Sequence, residues 1–338
     1  MTEPSFLVVR LGSLGDIVHT FPAVAGLRES FPGAKTVWLT HPRWRILVES
    51  SELASEIWEV ESRSSASLRE IIPRIRKQQF TTAIDYQGLW KSAALPFLGR
   101  VPQRIGFSSQ TIREFGVPVL YTDQVRCRTV HIADQNGELS LRAGARNPVA
   151  PFTMAVSTLQ EAFVLQLLRS FSIDRYVVLS PAGGWRSKCW PPERYGALCQ
   201  HIRTQLGLRC VVNVGPGEDG FAAAVKAASG DAEPIPYNGS LAQLMALLRN
   251  AQCVVGGDTG PLHLGVALGA PVVGLFGPTD PARNGPYSPG TCREKLVVLR
   301  SPDAKTTHRR GDQSDPSLLE LDLATVFDAV RKQIEAHP

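Results

Sequence analysis

Residues 253–276, CVVGGDTGPLHLGVALGAPVVGLF, decide the fold. CVVGG (253–257) is a short apolar run of strand length, GPLHLGVAL reads as a helix, and PVVGLF (271–276) is a second apolar strand. Strands that are apolar without alternation are covered on both faces, and a helix between two of them is the crossover of a parallel sheet. The pattern extends backwards. YVVLS (176–180) and CVVNV (210–214) read as strands, with helices at PERYGALCQHIRTQL, FAAAVKAA and SLAQLMALLRN. The first half repeats it. Strands read at FLVVRL (6–11), KTVWLT (35–40) and TTAIDYQ (81–87). Helices read at IVHTFPAVAGLRESF (17–31), with Pro22 in its early turns, through the basic segment IIPRIRKQQ, and at GLWKSAALPFLG. The expected fold class is α/β, with two doubly wound, Rossmann-like domains. The boundary falls near 150–172: domains at 1–160 and 172–316, then a terminal helical segment at 317–338. The polar stretch SPDAKTTHRRGDQSDPS (301–317) reads as a mobile surface loop.

A chain of 338 residues suits two domains, and 43% hydrophobic with 20% charged residues marks a globular protein. No window approaches the roughly 18 apolar residues of a membrane span. The start, MTEPSFLVVRLGSLGD, lacks a signal-peptide pattern. Six cysteines without a C-x-x-C pair argue against a zinc knuckle or disulfide framework, and for a reducing cytoplasm. Residues 1–160 carry 18 Lys and Arg against 14 Asp and Glu, whereas the remainder is nearly balanced. That bias suits an anionic ligand or an ordinary solvated surface. Without a long basic run or a nucleic-acid motif, nucleic acid is not expected as a partner.

In doubly wound sheets ligands bind beyond the carboxyl ends of the strands, so the loops there carry the candidate chemistry. RLGSLGD (10–16) follows the first strand. Gly12 and Gly15 permit close backbone approach, and Asp16 is placed either as a general base or as a complement to the helix dipole. After CVVGG, Asp258, Thr259 and Gly260 open a helix with Pro261 in its first turn and His263 beside the loop. This is a phosphate site at a helix N-terminus, or a capped helix with a buried histidine. LSPAGGWRSKCWPPERY (179–195) offers Gly183, Gly184 and Lys188, a lysine able to neutralise a diphosphate or to sit on the surface. Gln87 and Lys91 follow a first-half strand, and Arg113 and His131 lie further on. They are surface residues or, together, a cation-bearing lining on the first half's side of a cleft. GPGEDG (215–220) matches a dinucleotide fingerprint but follows the second strand of its half, so it reads as a tight turn more readily than as an NAD site. No D-x-D motif or metal-spaced cluster is present, so no metal is expected; Lys188 and helix N-termini would stabilise a leaving diphosphate.

RLGSLGDIVHTFPAVAGLRESFPGAK, AIDYQGLWKSAAL, SKCWPPERY and DTGPLHLGVALGAPVVGLFGPTDP, in that order, resemble the heptosyltransferases of glycosyltransferase family nine, most closely those of the heptosyltransferase I type. The resemblance runs from about residue 5 to 290. It implies a GT-B fold, with two Rossmann-like domains facing across a cleft: acceptor in the first, donor in the second, and a C-terminal helix packing back toward the first. It implies inverting, metal-independent transfer from ADP-heptose to the Kdo region of lipid A, at the cytoplasmic face of the inner membrane and with peripheral contact there. Carried over by residue, Asp16 is the catalytic base. Lys188 contacts diphosphate and sugar, Asp258 holds the heptose hydroxyls, Thr259 and Gly260 bind phosphate, and His263 completes the donor motif. Gly183 and Gly184 stand where such sequences can carry Thr-Thr, so phosphate contacts there fall to backbone N–H groups. Ser13, Gly15, Gln87, Lys91, Arg113 and His131 are assigned to the acceptor side. Rival readings are another glycan or protein acceptor, an NAD-dependent oxidoreductase using GPGEDG, and a non-catalytic nucleotide- or glycan-binding protein.

Overall fold

The apolar runs pair as two parallel six-stranded sheets in a computed structural model that describes residues 4–61, 63–112, 114–290, 292–307 and 310–337. The chain divides into two compact units, Met1–Ala155 and Val156–Pro338. In the first unit the strands are β1 (Ser5–Val9), β2 (Lys35–Thr40), β3 (Glu56–Glu59), β4 (Thr82–Asp85), β5 (Gln103–Phe107) and β6 (Asp123–Val125). They lie in the order β3-β2-β1-β4-β5-β6. The helices are α1 (Leu14–Val18), α2 (Phe21–Ser30), α3 (Arg45–Ser51), α4 (Ser65–Gln78), α5 (Trp90–Leu98) and α6 (Ile132–Arg142). Leu7, Val9, Val37 and Leu39 on one face of the central strands meet Trp58, Ile71, Ile75 and Phe80.

The second unit has strands β7 (Tyr176–Ser180), β8 (Arg209–Asn213), β9 (Ile235–Tyr237), β10 (Cys253–Gly257), β11 (Val272–Phe276) and β12 (Leu296–Arg300), in the order β12-β11-β10-β7-β8-β9. Its helices are α7 (Thr158–Ser170), α8 (Pro192–Leu206), α9 (Asp219–Ala227), α10 (Leu241–Arg249), α11 (Gly260–Ala267), α12 (Pro281–Asn284), α13 (Pro316–Leu319) and α14 (Leu323–Ala336). Counted from each unit's first strand, the two orders are the same. Each sheet reverses direction once, between β1 and β4 and between β7 and β10. Those are the switch points at which doubly wound sheets bind ligands.

Several expectations change. The single helix over 17–31 is two helices: α1 ends at Val18 and α2 starts at Phe21, with Pro22 in its first turn. Pro22 has no N–H to continue α1, and its ring would meet the carbonyl four residues back. Thr20 bridges the break, its hydroxyl donating to Asp16 O at 2.8 Å. The boundary falls at 155/156, because α7 packs against α10 in the second unit. The apolar face of the C-terminal helix α14 is buried in the second unit's core, where Val326, Phe327, Val330 and Ile334 join Leu318, Leu321 and the β10–β11 residues. The described residues of the 301–317 stretch have anchors. Thr307 N donates to Pro278 O at 2.8 Å, Asp315 N to Ser187 O at 3.3 Å, and the Arg310 guanidinium lies 5.2 Å from the Trp185 ring centre. Cys189, Cys199, Cys210 and Cys253 are buried free thiols.

Candidate active site

Each switch point carries a polar cluster. In the first unit β1 delivers Arg10 to the sheet edge with its side chain only 6% exposed. Its guanidinium pairs with Asp16 Oδ1 at 2.8 Å and also donates to Tyr86 O. Asp16 Oδ2 accepts from Ser13 N at 3.0 Å and from Ser13 Oγ at 2.9 Å. The carboxylate is therefore fixed on both oxygens while remaining 41% exposed. Gly12 cannot be replaced cheaply, because a Cβ there would stand 2.7 Å from Trp44 Nε1. Gly15 lies in the first turn of α1, where its carbonyl accepts from His19 N.

The loop after β4 meets this one. Gln87 Oε1 accepts from Leu11 N at 2.7 Å. Gln87 is held in turn by the buried Asp85, which accepts from Gln87 N, Gly88 N, Ser92 Oγ and Tyr121 Oη. Burial raises the Asp85 carboxyl above its ordinary range, with these four donors opposing the shift. Burial also raises the Tyr121 phenol, and the Asp85 charge adds to it, so the phenol stays a donor. Four donors on one buried acceptor fix the β4 loop with little freedom. His131 caps α6, accepting from Ala133 N through Nδ1 at 3.2 Å. Its ring lies edge-on to His19, 5.4 Å between centres, one turn beyond Asp16. Ser13, Gly15, Asp16, Gln87 and His131 are thus linked by successive contacts. Lys91 stands exposed in the first turn of α5, after the Gln87 loop. Arg113 lies outside the described residues.

In the second unit the loops after β7 and β10 are brought together because those strands are neighbours. Lys188 Nζ pairs with Asp258 Oδ2 at 2.6 Å, and His263 Nε2 lies 3.1 Å from Asp258 Oδ1. The Lys188 and Asp258 side chains are 12% and 8% exposed. Burial works against the Asp258 charge; His263 and Lys188 outweigh it and hold the carboxyl well below the usual carboxylate range. Gly257 makes this approach feasible, since a Cβ there would stand 2.7 Å from Lys188 O. Thr259 caps α11, with a buried hydroxyl that has no hydrogen-bond partner among the described residues. Gly260 is the first helical residue, so its N–H belongs to the unsatisfied set at the helix start. Gly183 packs on Cys189 and Thr259, and a Cβ on Gly184 would meet nothing within 4 Å. Donors, a cation and a helix N-terminus converge here, the requirements of a phosphate or diphosphate site.

Four participants were not legible beforehand. Arg10 opens the quoted RLGSLGD motif, and its signal is a charged residue at the end of a buried strand. Trp185 carries Lys188 Nζ 4.3 Å from its ring centre. Asp85 and Tyr121 had no signal beyond their strand ends. The glycine-rich GPGEDG loop follows β8, one strand away from the β7–β10 switch point. There Glu218 accepts from Gly215 N at 2.7 Å and closes a tight turn, as the sequence position indicated.

Two Rossmann-like units, each with a polar cluster at its switch point, form the GT-B fold of many glycosyltransferases. The family model "Glycosyltransferase family 9 (heptosyltransferase)" matches residues 68–313, and the chain belongs to that family. It is 29% identical over 315 residues to lipopolysaccharide heptosyltransferase 1 of Escherichia coli K12, covering 87% of this chain and 96% of that protein. Among solved structures, the family 9 glycosyl transferase of Veillonella parvula superposes with a TM-score of 0.86 at 19% identity, covering 99% of this chain and 98% of that one. The E. coli heptosyltransferase WaaC with ADP gives a TM-score of 0.76 at 24% identity, covering 97% and 99%. No helix among the described residues is long and apolar enough to cross a membrane.

Proposed function

We propose that this glycosyltransferase transfers heptose, with inversion, from ADP-heptose to the Kdo region of lipid A in the lipopolysaccharide inner core. The observation that carries the reading is the Lys188–Asp258–His263 cluster at the start of α11, in a chain of the heptosyltransferase family. The diphosphate of ADP-heptose lies against the Thr259 hydroxyl, the Gly260 N–H and the backbone of Gly183–Gly184. Lys188 supplies positive charge as the β-phosphate leaves, and Asp258 receives heptose hydroxyls. In the first unit the acceptor hydroxyl attacks the anomeric carbon and its proton passes to Asp16. The carbon–oxygen bond to ADP breaks as the new one forms. Ser13 and Arg10 hold the carboxylate so that one lone pair faces the incoming hydroxyl. Direct displacement depends on such alignment, which contributes through lost entropy already expended on folding. Gln87, Lys91 and His131 serve the anionic acceptor, and so does Arg113 by resemblance alone. No metal is required, because the cation and the helix N-terminus take its electrostatic role. A lipid-borne acceptor puts the enzyme at the cytoplasmic face of the inner membrane.

The test is mass spectrometry of Kdo-lipid A incubated with the enzyme and ADP-heptose. A gain of one heptose residue is expected. No gain with Kdo-lipid A, and a gain on a later-core acceptor, would reassign the acceptor.

A further inference from the structure

The solvent face of α5 is unused by the chemistry above. Ser92, Ala93, Leu95 and Pro96 are buried, whereas Trp90, Phe97 and Leu98 are exposed. The face continues onto the next loop. Trp90 Nε1 donates to Phe115 O at 3.2 Å, which holds Phe115 beside α5 with its side chain 97% exposed. Val119, four residues further on, is also exposed. Cations border it. Arg76, in the last turn of α4, donates to Leu98 O at 2.9 Å. Arg104 lies 5.5 Å from the Phe97 ring centre, and the exposed Arg100 stands two residues past the end of α5. Arg76, Phe97, Leu98, Arg100 and Arg104 line one continuous groove.

Single exposed apolar residues are ordinary, but a contiguous set of aromatic and aliphatic side chains rimmed by guanidinium groups marks an interaction site. We propose that this face docks the protein on an anionic phospholipid surface. Phe97, Leu98 and Phe115 enter the headgroup region, and Arg76, Arg100 and Arg104 face the lipid phosphates. Aromatic side chains favour that depth, and each cation near an anionic surface adds attraction. A second copy fits poorly, because a two-fold contact through this face sets each arginine cluster against its own copy. The proposal deepens the membrane location proposed above by naming the surface.

The test is cosedimentation of the full chain with vesicles of phosphatidylcholine alone or mixed with phosphatidylglycerol. It uses neither sugar nucleotide nor acceptor, so its failure leaves heptose transfer standing, and a failure of transfer leaves it standing. Binding to the anionic vesicles at least tenfold above the neutral ones, weakening with salt, is expected. Removing one cation weakens partition about fivefold, so Arg100→Glu weakens it roughly 25-fold. Phe115→Ser weakens binding as well. Both side chains are exposed, so melting temperature and ADP affinity stay unchanged in either variant. Equal binding to both vesicle types, or undiminished binding by both variants, overturns the proposal. So does a dimer in sedimentation velocity that Phe115→Ser dissociates, which would assign the face to a second copy.

Discussion

Replacing Asp16 by Asn separates the proposed base from everything else the site does. The amide keeps one oxygen to accept from Ser13 and nearly the same volume, but it has no charge and takes no proton. Loss of a general base lowers turnover by about 10²–10⁴. At about 1.4 kcal/mol per tenfold, that is roughly 3–5 kcal/mol on the barrier. The structural cost is smaller. Arg10 keeps its contact with Tyr86 O and loses a charged partner at 2.8 Å. A buried charge-assisted hydrogen bond is worth about 1.5–3 kcal/mol. The 41% exposure of Asp16 discounts this. What remains is roughly 1 kcal/mol. In a unit of this size it lowers the melting temperature by about 2–4 °C, so the variant stays folded at 25 °C. The assay is ADP release under saturating donor and acceptor, with calorimetric ADP binding and a thermal melt as controls. ADP affinity should be unchanged, because the proposed nucleotide-binding groups lie in the second unit. A variant with turnover within tenfold of the parent enzyme refutes Asp16 as the base.

Other outcomes follow from the same geometry. Asp258→Asn leaves Lys188 buried without its countercharge and should destabilise the second unit by about 3 kcal/mol near neutral pH. Because the folded carboxyl is held low, that contribution is present above the unfolded pKa of about 4. It is lost as pH falls through the folded value, so urea titrations of parent and variant should converge only below about pH 4. Asp85→Ala strands the donors of Gln87, Gly88, Ser92 and Tyr121, and should cost the first unit about 3 kcal/mol, read as a melting temperature lower by roughly 6–12 °C. Gly257→Ala puts a methyl 2.7 Å from Lys188 O and should displace the Lys188 loop, weakening ADP binding at least tenfold with little change in the first unit's melt. ADP affinity equal to that of the parent enzyme would contradict the role given to that loop.

How much was legible depended on burial. β1, β2, β4, β7, β8, β10 and β11 are apolar runs because neighbours cover both faces. β3 (EIWE), β6 (DQV), β9 (IPY) and β12 (LVVLR) are outermost strands. The charges in β3 and β6 suit exposed edges that resist further pairing, β9 is only three residues long, and β12 is apolar but only partly buried, so none of the four stands out as a covered strand. The site was legible where chemistry sits next to a strand end, as with Asp16 and the Asp258–Thr259–Gly260 turn. The ion pair between Lys188 and Asp258 spans 70 residues and exists because β7 and β10 are adjacent, which no local pattern reveals. Arg10 was hidden by its own burial, since an arginine at a strand end reads as surface until a carboxylate is found opposite it. Pro22 is visible in the sequence, but its effect is set by the local backbone: it leaves the Val18 carbonyl without a donor and its ring crowds that carbonyl, so the segment forms two helices.

The central claim is acceptor-dependent, metal-free transfer from an ADP-activated heptose. It is tested most directly by ADP release from ADP-heptose in EDTA, with and without Kdo-lipid A. Release that requires the acceptor and is unaffected by the chelator is expected. Bound ADP with no acceptor-dependent release, or release abolished by EDTA and restored by a divalent cation, would contradict it.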